Sequence, residues 1–198
     1  MARHIKESVT TELVIDKSRF IGILLPCSSK AELDAILINT RMKHPKANHV
    51  VHAALFNQQM SISDDGEPAK TAASPILEVL HHHELQNVVM LAVRYFGGIK
   101  LGAGGLVRAY TKTAAETIKL ATLYESVYVA RYELHTTYER WNKLQSEVSF
   151  RSIESIRYED LVKVIVVLDK LEVNTLLGHE YHLDLLNELD DGVIDKEV

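Results

Sequence analysis

Apolar positions along the first half of the chain switch repeatedly between strand and helix periods. Residues 8–26 read as two strands, with Val9, Leu13 and Ile15 on one and Phe20 to Leu25 on the other. A helix follows: Ser29 and Glu32 have capping-box spacing, and Leu33, Ile36, Leu37 and Thr40 recur at helical period. Pro45 ends it, because proline disfavours helix in the residue before it. His49 to Phe56 reads as the next strand and Met60 to Ile62 as a shorter one. Asp64-Asp65-Gly66-Glu67-Pro68 is turn chemistry. The spacing of Ala72, Ile76 and Leu80 predicts a helix over Thr71 to His83, with Pro75 tolerable because it lies near the start. Asn87 to Phe96 is a strand-like apolar run, a glycine-rich turn follows it, and Ala109 to Ala121 reads as helix.

The second half starts a new pattern. Tyr124 to Thr136 alternates, with Tyr128, Ala130, Tyr132 and Leu134 on one face and Arg131, Glu133 and His135 on the other. Tyr138 to Val148 is helical, Phe150 to Tyr158 a strand, and Leu161 to Leu168 a β-branched strand. Leu171 to about Leu186 reads as helix, with Val173, Leu176, Leu177 and Tyr181 sharing a face, and Gly192 to Val198 as a closing strand. That order is β-α-β-β-α-β, the split-βαβ pattern of ferredoxin-like domains. The predicted class is α+β in two domains, residues 1–122 and 123–198.

Composition sets outer limits. With 46% hydrophobic and 25% charged residues, the chain is ordinary globular material. No apolar run approaches the ~20 residues of a membrane span, and the first ten residues lack the apolar stretch of a secretory signal. The single cysteine, Cys27, leaves no internal disulfide and fits a reducing cytoplasm, where a buried structural thiol is the simplest role for it.

Charge changes the picture only once it is located. The net charge of −5 argues against a nucleic-acid binder, yet residues 1–122 carry 14 Lys and Arg against 11 Asp and Glu, whereas residues 123–198 carry 8 against 16. Between Glu84 and Glu116 there is no acidic residue, while Arg94, Lys100, Arg108 and Lys112 are all present. The split implies an anion-seeking face on the first half.

Candidate chemistry concentrates in the same place. Arg94 to Tyr110, RYFGGIKLGAGGLVRAY, holds five of the nine glycines: Gly97, Gly98, Gly102, Gly104 and Gly105. One reading is a tight strand-to-helix turn with close packing. The other is an anion seat, since such a turn exposes the first N–H groups of a helix. It matches neither the Walker template nor the dinucleotide fingerprint, because Ala103-Gly104 stands where Lys and Ser/Thr are needed and Val107 where Gly or Ala is needed. Arg94, Lys100 and Arg108, with Tyr95 and Phe96 beside them, favour the anion reading: cations and aromatics around open amides suit phosphates and stacked bases. Asp64, Asp65 and Glu67 read either as a solvated acidic turn or as oxygen donors for Mg²⁺, without calcium-loop spacing. The ten histidines form no metal pattern: His49 and His52 point to opposite faces of a strand, His81 to His83 close a helix, and Gly178 interrupts the helix that His179 and His182 would share. No catalytic triad is supported, and no catalytic residue is assigned.

SDDGEPAKTAASPIL, followed after a strand by RYFGGIKLGAGGLVRAYTKTAAE, closely resembles the signature of the IMPACT/YigZ family. The resemblance covers essentially the whole chain. Where members often carry glycine after the DDGEP turn, this chain has Lys70. The resemblance implies a first domain folded like the second domain of a small-subunit ribosomal protein, as in domain IV of elongation factor G. It implies a second, ferredoxin-like domain similar to domains III and V of that factor. It further implies a cytoplasmic role in translational control, since eukaryotic relatives blunt activation of the general-control kinase through a ribosome-associated activator. This chain, starting at the shared core, resembles a short bacterial-type member.

Three functions compete on these grounds. The first is a non-enzymatic RNA- or ribosome-binding regulator of translation, with Arg94, Lys100 and Arg108 on phosphate and Tyr95 or Phe96 against a base. The second is a nucleotide-binding enzyme with Mg²⁺ on the acidic turn and phosphates on the amides of Gly102 to Gly105. The third is a protein-interaction module using the acidic second domain. Nothing in the chain sets its oligomeric state.

Overall fold

The computed structural model describes residues 2–178, 183 and 185–198. It is a mixed α+β protein with two antiparallel sheets, and it divides into two compact units. One runs to Glu125 and takes in Glu197–Val198; the other is Ser126–Lys196. No helix among the described residues is long and apolar enough to cross a membrane.

In the first unit, β1 (Arg3–His4) leads into β2 (Val9–Ile15) and β3 (Ser18–Pro26). Then come α1 (Lys30–Lys43), β4 (His49–Phe56), β5 (Gln59–Ser63), α2 (Ala73–His82), β6 (Val88–Tyr95) and α3 (Gly102–Ile118). The sheet order is β2-β3-β6-β4-β5, every neighbouring pair antiparallel. β6 is central and buried on both faces, which explains its unbroken apolar run. Val89 and Leu91 face α1 together with Cys27, Leu33 and Phe56. Val88, Met90 and Ala92 face α2 and α3, where Phe20, Ile76, Leu80, Leu106 and Tyr110 complete the larger core. Arg94, two residues beyond Ala92, falls on this second, inward face.

Local signals explain most boundaries. Ser29 caps α1, accepting from the Glu32 backbone N–H at 3.2 Å, while the Glu32 carboxylate reaches back to the Ser28 N–H at 2.6 Å. The Glu32 pKa is lowered by these bonds, the backbone N–H of Ser28 first. Burial of Cys27 pushes its thiol pKa up, which keeps it an inert packing group. Lys70 holds a left-handed backbone, φ +64°, a conformation that favours glycine.

One difference concerns the glycine segment. The helix begins at Gly102, not near Ala109, so Gly102, Gly104 and Gly105 belong to its first turn, and Arg108 sits beyond that turn. Poor glycine propensity is overridden by burial of one face: Leu106, Ala109, Tyr110, Thr113, Ala114, Thr117 and Ile118.

The second unit contains most of β7 (Tyr124–Thr136), then α4 (Tyr138–Glu147), β8 (Ser152–Tyr158), β9 (Val162–Asp169), α5 (Lys170–Gly178) and β10 (Leu185–Glu197). β7 pairs with β9 and β10, and β9 with β8, giving the order β10-β7-β9-β8 of a ferredoxin-like sheet. Trp141, stacked on Phe150 at 5.5 Å, lies in its core with Tyr132, Leu134, Leu144 and Val166. The helix expected to reach Leu186 ends at Gly178, and a strand resumes at Leu185. From Leu185 on, pairing with β7 outweighs the helical spacing. Tyr181, His179 and His182 lie outside the described residues.

Candidate anion-binding site

The site forms where β6 ends and α3 begins. After Tyr95 the backbone is held on both sides. The Phe96 N–H donates to the Asn48 carbonyl oxygen of its side-chain amide at 2.8 Å, and the Gly97 N–H donates to Ser18 Oγ at 3.2 Å. Gly97 packs directly on the backbone of Lys17 and Ser18, leaving no room for a Cβ. Gly98, at φ +87°, then turns the chain outward into open space.

Arg94 does not lie on the surface, as a contact to a polymer's phosphate backbone would. Its side chain is 6% exposed and donates from Nη1 to Glu67 Oε1 at 2.6 Å, with Glu67 itself 4% exposed. The guanidinium carbon lies over the rings of both Phe20 and Phe96, 5.3 and 5.7 Å from their centroids. Tyr110 donates its hydroxyl to the same Glu67 oxygen at 2.7 Å. Burial first, then this bond, hold the Tyr110 phenol far above its ordinary pKa, so it stays protonated. Among the described residues the Arg94 Nε–H has no hydrogen-bond partner. The inward parity of β6 is the reason: an unpaired guanidinium under α3 would be intolerable, and Glu67 supplies the countercharge.

The acidic turn is likewise occupied. Asp64 accepts from the backbone N–H groups of Ala73 at 2.8 Å, Lys70 at 3.0 Å and Ala72 at 3.2 Å, so it secures the start of α2. Asp65 accepts from the Val50 N–H at 2.5 Å and pairs with Arg41. Among the described residues no group of three or more His, Cys, Asp or Glu side chains is arranged to hold a metal ion. The three carboxylates, read either as a solvated turn or as Mg²⁺ donors, serve instead as a helix cap, a loop anchor and a buried countercharge. Tyr95 is turned toward α1, sharing a hydrogen bond of 2.9 Å with His44, with the Arg19 guanidinium 5.4 Å from its ring.

What remains outward is the start of α3. Lys100, Arg108 and Lys112 are exposed, and among the described residues none of them has an ion pair. No side chain caps α3, and its first turn holds no acidic residue. The Arg108 guanidinium lies over Gly104, where a Cβ would sit 3.6 Å from Nη1. Positive charge is thus gathered at the positive pole of a helix, an arrangement unfavourable to the helix by itself. Beside it opens a cavity of about 270 Å³ lined by apolar Pro68, Phe96, Leu101, Ala103 and Leu106 and also by Glu67, Arg94, Lys100 and Gly102. Neither the cavity nor the Glu67–Arg94–Tyr110 cluster was among the sequence expectations. The inward parity of Arg94 was the one available signal.

Residues 16–118 match the model of the Impact N-terminal domain. The chain is 33% identical to the IMPACT family member YvyE of Bacillus subtilis over 94% of its own length and 88% of that protein's. It is 34% identical to the IMPACT family member YigZ of Escherichia coli over 70% of each chain. Among solved structures, the crystal structure of a hypothetical protein superposes with a TM-score of 0.61 at 28% identity, over 96% of this chain and 97% of that one. Family model and relative agree: the chain belongs to the IMPACT family.

Proposed function

We propose that this protein is a non-enzymatic regulator of translation that binds RNA or the ribosome through the start of α3. The observation that carries the reading is an uncapped, acid-free helix N-terminus to which exposed Lys100 and Arg108 add further positive charge. Such charge is unfavourable to the free protein and becomes favourable once a polyanion lies against it. Phe96, 46% exposed at the same edge, offers a ring face to a base. The role in translation rests on membership of the family and on what that resemblance implies. The acidic turn adds no support for metal-assisted chemistry, because its three carboxylates are engaged within the fold.

Sedimentation tests this directly. The intact protein is expected to travel with ribosomal subunits at low salt and to be released by raised salt or by nuclease. Sedimentation that persists after nuclease and high salt would point to a protein partner and would remove the polyanion reading.

A further inference from the structure

We infer that the cavity between the end of β6 and the start of α3 is a subsite for a single phosphate monoester. The ester is either a free nucleoside monophosphate or the 5′-phosphate end of an RNA. This rests on the anion-seeking reading of α3 and narrows it to one ligand group.

Three independent features converge there. The first-turn amides of α3 have no side-chain cap, and orphan N–H groups at a helix start bind phosphate. Arg94 lines the same cavity with its side chain more than nine-tenths buried, and among the described residues its Nε–H has no partner. A buried donor left without an acceptor is uncommon in folded proteins and points to a ligand that completes it. Lys100 is a further lining residue, exposed and, among the described residues, without an ion pair. Glu67 also lines the cavity, but its charge is matched by Arg94 and its Oε1 by Tyr110, so Lys100 tips the balance positive.

Size and walls narrow the ligand. At about 270 Å³ the space is smaller than the ~300–1,000 Å³ that encloses a drug-sized molecule. It suits one terminal group with its sugar rather than a run of polymer. A phosphate monoester carries about −1.5 to −2 charges at neutral pH against −1 for an internal diester, which favours the end of a chain over its middle. The Phe96 ring covers the Arg94 guanidinium and is open to solvent on its other side. Its exposed face is available to stack on a base.

The test uses the intact protein, isotope-labelled and followed by amide NMR during titration with AMP, inorganic phosphate and adenosine. AMP and phosphate are expected to move the amides of residues 100–105, and adenosine to leave them in place. Ala103→Asp sets a carboxylate in the first turn of α3. It is expected to weaken AMP binding at least tenfold while the melting temperature holds or rises, because aspartate suits a helix start. A 5′-phosphorylated oligoribonucleotide binding at least tenfold tighter than its 5′-hydroxyl twin identifies the RNA end as the source; AMP binding without that preference identifies a free nucleotide. Equal shifts from adenosine, or unchanged AMP affinity in Ala103→Asp, would overturn the inference. If AMP fails while RNA still binds with a steep salt dependence, the subsite falls and the wider polyanion reading stands. If neither binds, both fall.

Discussion

Glu67→Ala is expected to destabilise the first unit by about 3–5 kcal/mol, the cost of leaving one partner of a buried ion pair alone. Arg94 would keep its charge over the rings of Phe20 and Phe96, away from solvent. Tyr110 would lose the acceptor for its buried hydroxyl at the same time. Glu67→Gln keeps an oxygen for both donors and should cost less. Glu67→Gln combined with Arg94→Met should recover much of the loss, because removing both charges removes the penalty for burying either. Urea unfolding followed by far-UV circular dichroism is the suitable measurement. Fluorescence is the wrong probe, since the protein's one tryptophan, Trp141, lies in the core of the second unit. A single-variant cost below about 1 kcal/mol, typical of an exposed pair, would show that the Glu67–Arg94 pair is not buried as described.

Gly97→Ala carries the second large effect. A Cβ at this position falls on the carbonyl of Lys17 and the backbone nitrogen of Ser18. These are main-chain atoms of the β2–β3 turn, so no side chain can swing away to relieve the overlap. The expected cost exceeds the ~1–3 kcal/mol of ordinary overpacking, and the Gly97 N–H bond to Ser18 Oγ is lost with it. Gly98→Ala is the control. Its Cβ meets open space and its penalty comes only from φ +87°, about 1–2 kcal/mol. Amide exchange should rise across residues 17–20 and 94–98 in Gly97→Ala but not in Gly98→Ala. Equal behaviour of the two variants would mean that Gly97 is required for backbone freedom rather than for close approach.

These two glycines show where sequence reasoning reached and where it stopped. That the segment needed glycine was legible. Which glycine serves contact and which serves a turn depends on the β2–β3 turn, some eighty residues earlier in the chain. The strands of the first unit were readable because their apolar runs are bounded by turn chemistry. The body of α3 was also legible, since Ala109 to Ala121 read as helix and α3 runs to Ile118. Its true start was hidden because glycine propensity argues against helix, whereas packing decides. Arg94 was misplaced for a related reason. β6 is covered by helices on both faces, so its parity with Ala92 places Arg94 inward but does not reveal the countercharge that lets it stay there. Glu67 is 27 residues away and read as part of a solvated turn. In the same way, Asp64 was read as either solvated or a metal donor, and its bonds to Ala72 and Ala73 make it the anchor of α2. Lys70 carries a backbone conformation that favours glycine, and its N–H bond to Asp64 accounts for the strained turn being held. Gly192 to Val198 was legible as a closing strand, but the start of β10 at Leu185 was not, because its partner, β7, lies about fifty residues upstream.

The central claim is that exposed cations at the start of α3 grip a polyanion, and the salt dependence of RNA affinity tests it most directly. Binding of the intact protein to an unstructured RNA should weaken steeply as salt rises. In Lys100→Glu/Arg108→Glu the affinity should fall and the slope of log K against log salt should shrink by between one and two units, about one for each phosphate contact removed. An unchanged affinity and an unchanged slope in that variant, with the fold intact, would contradict the account.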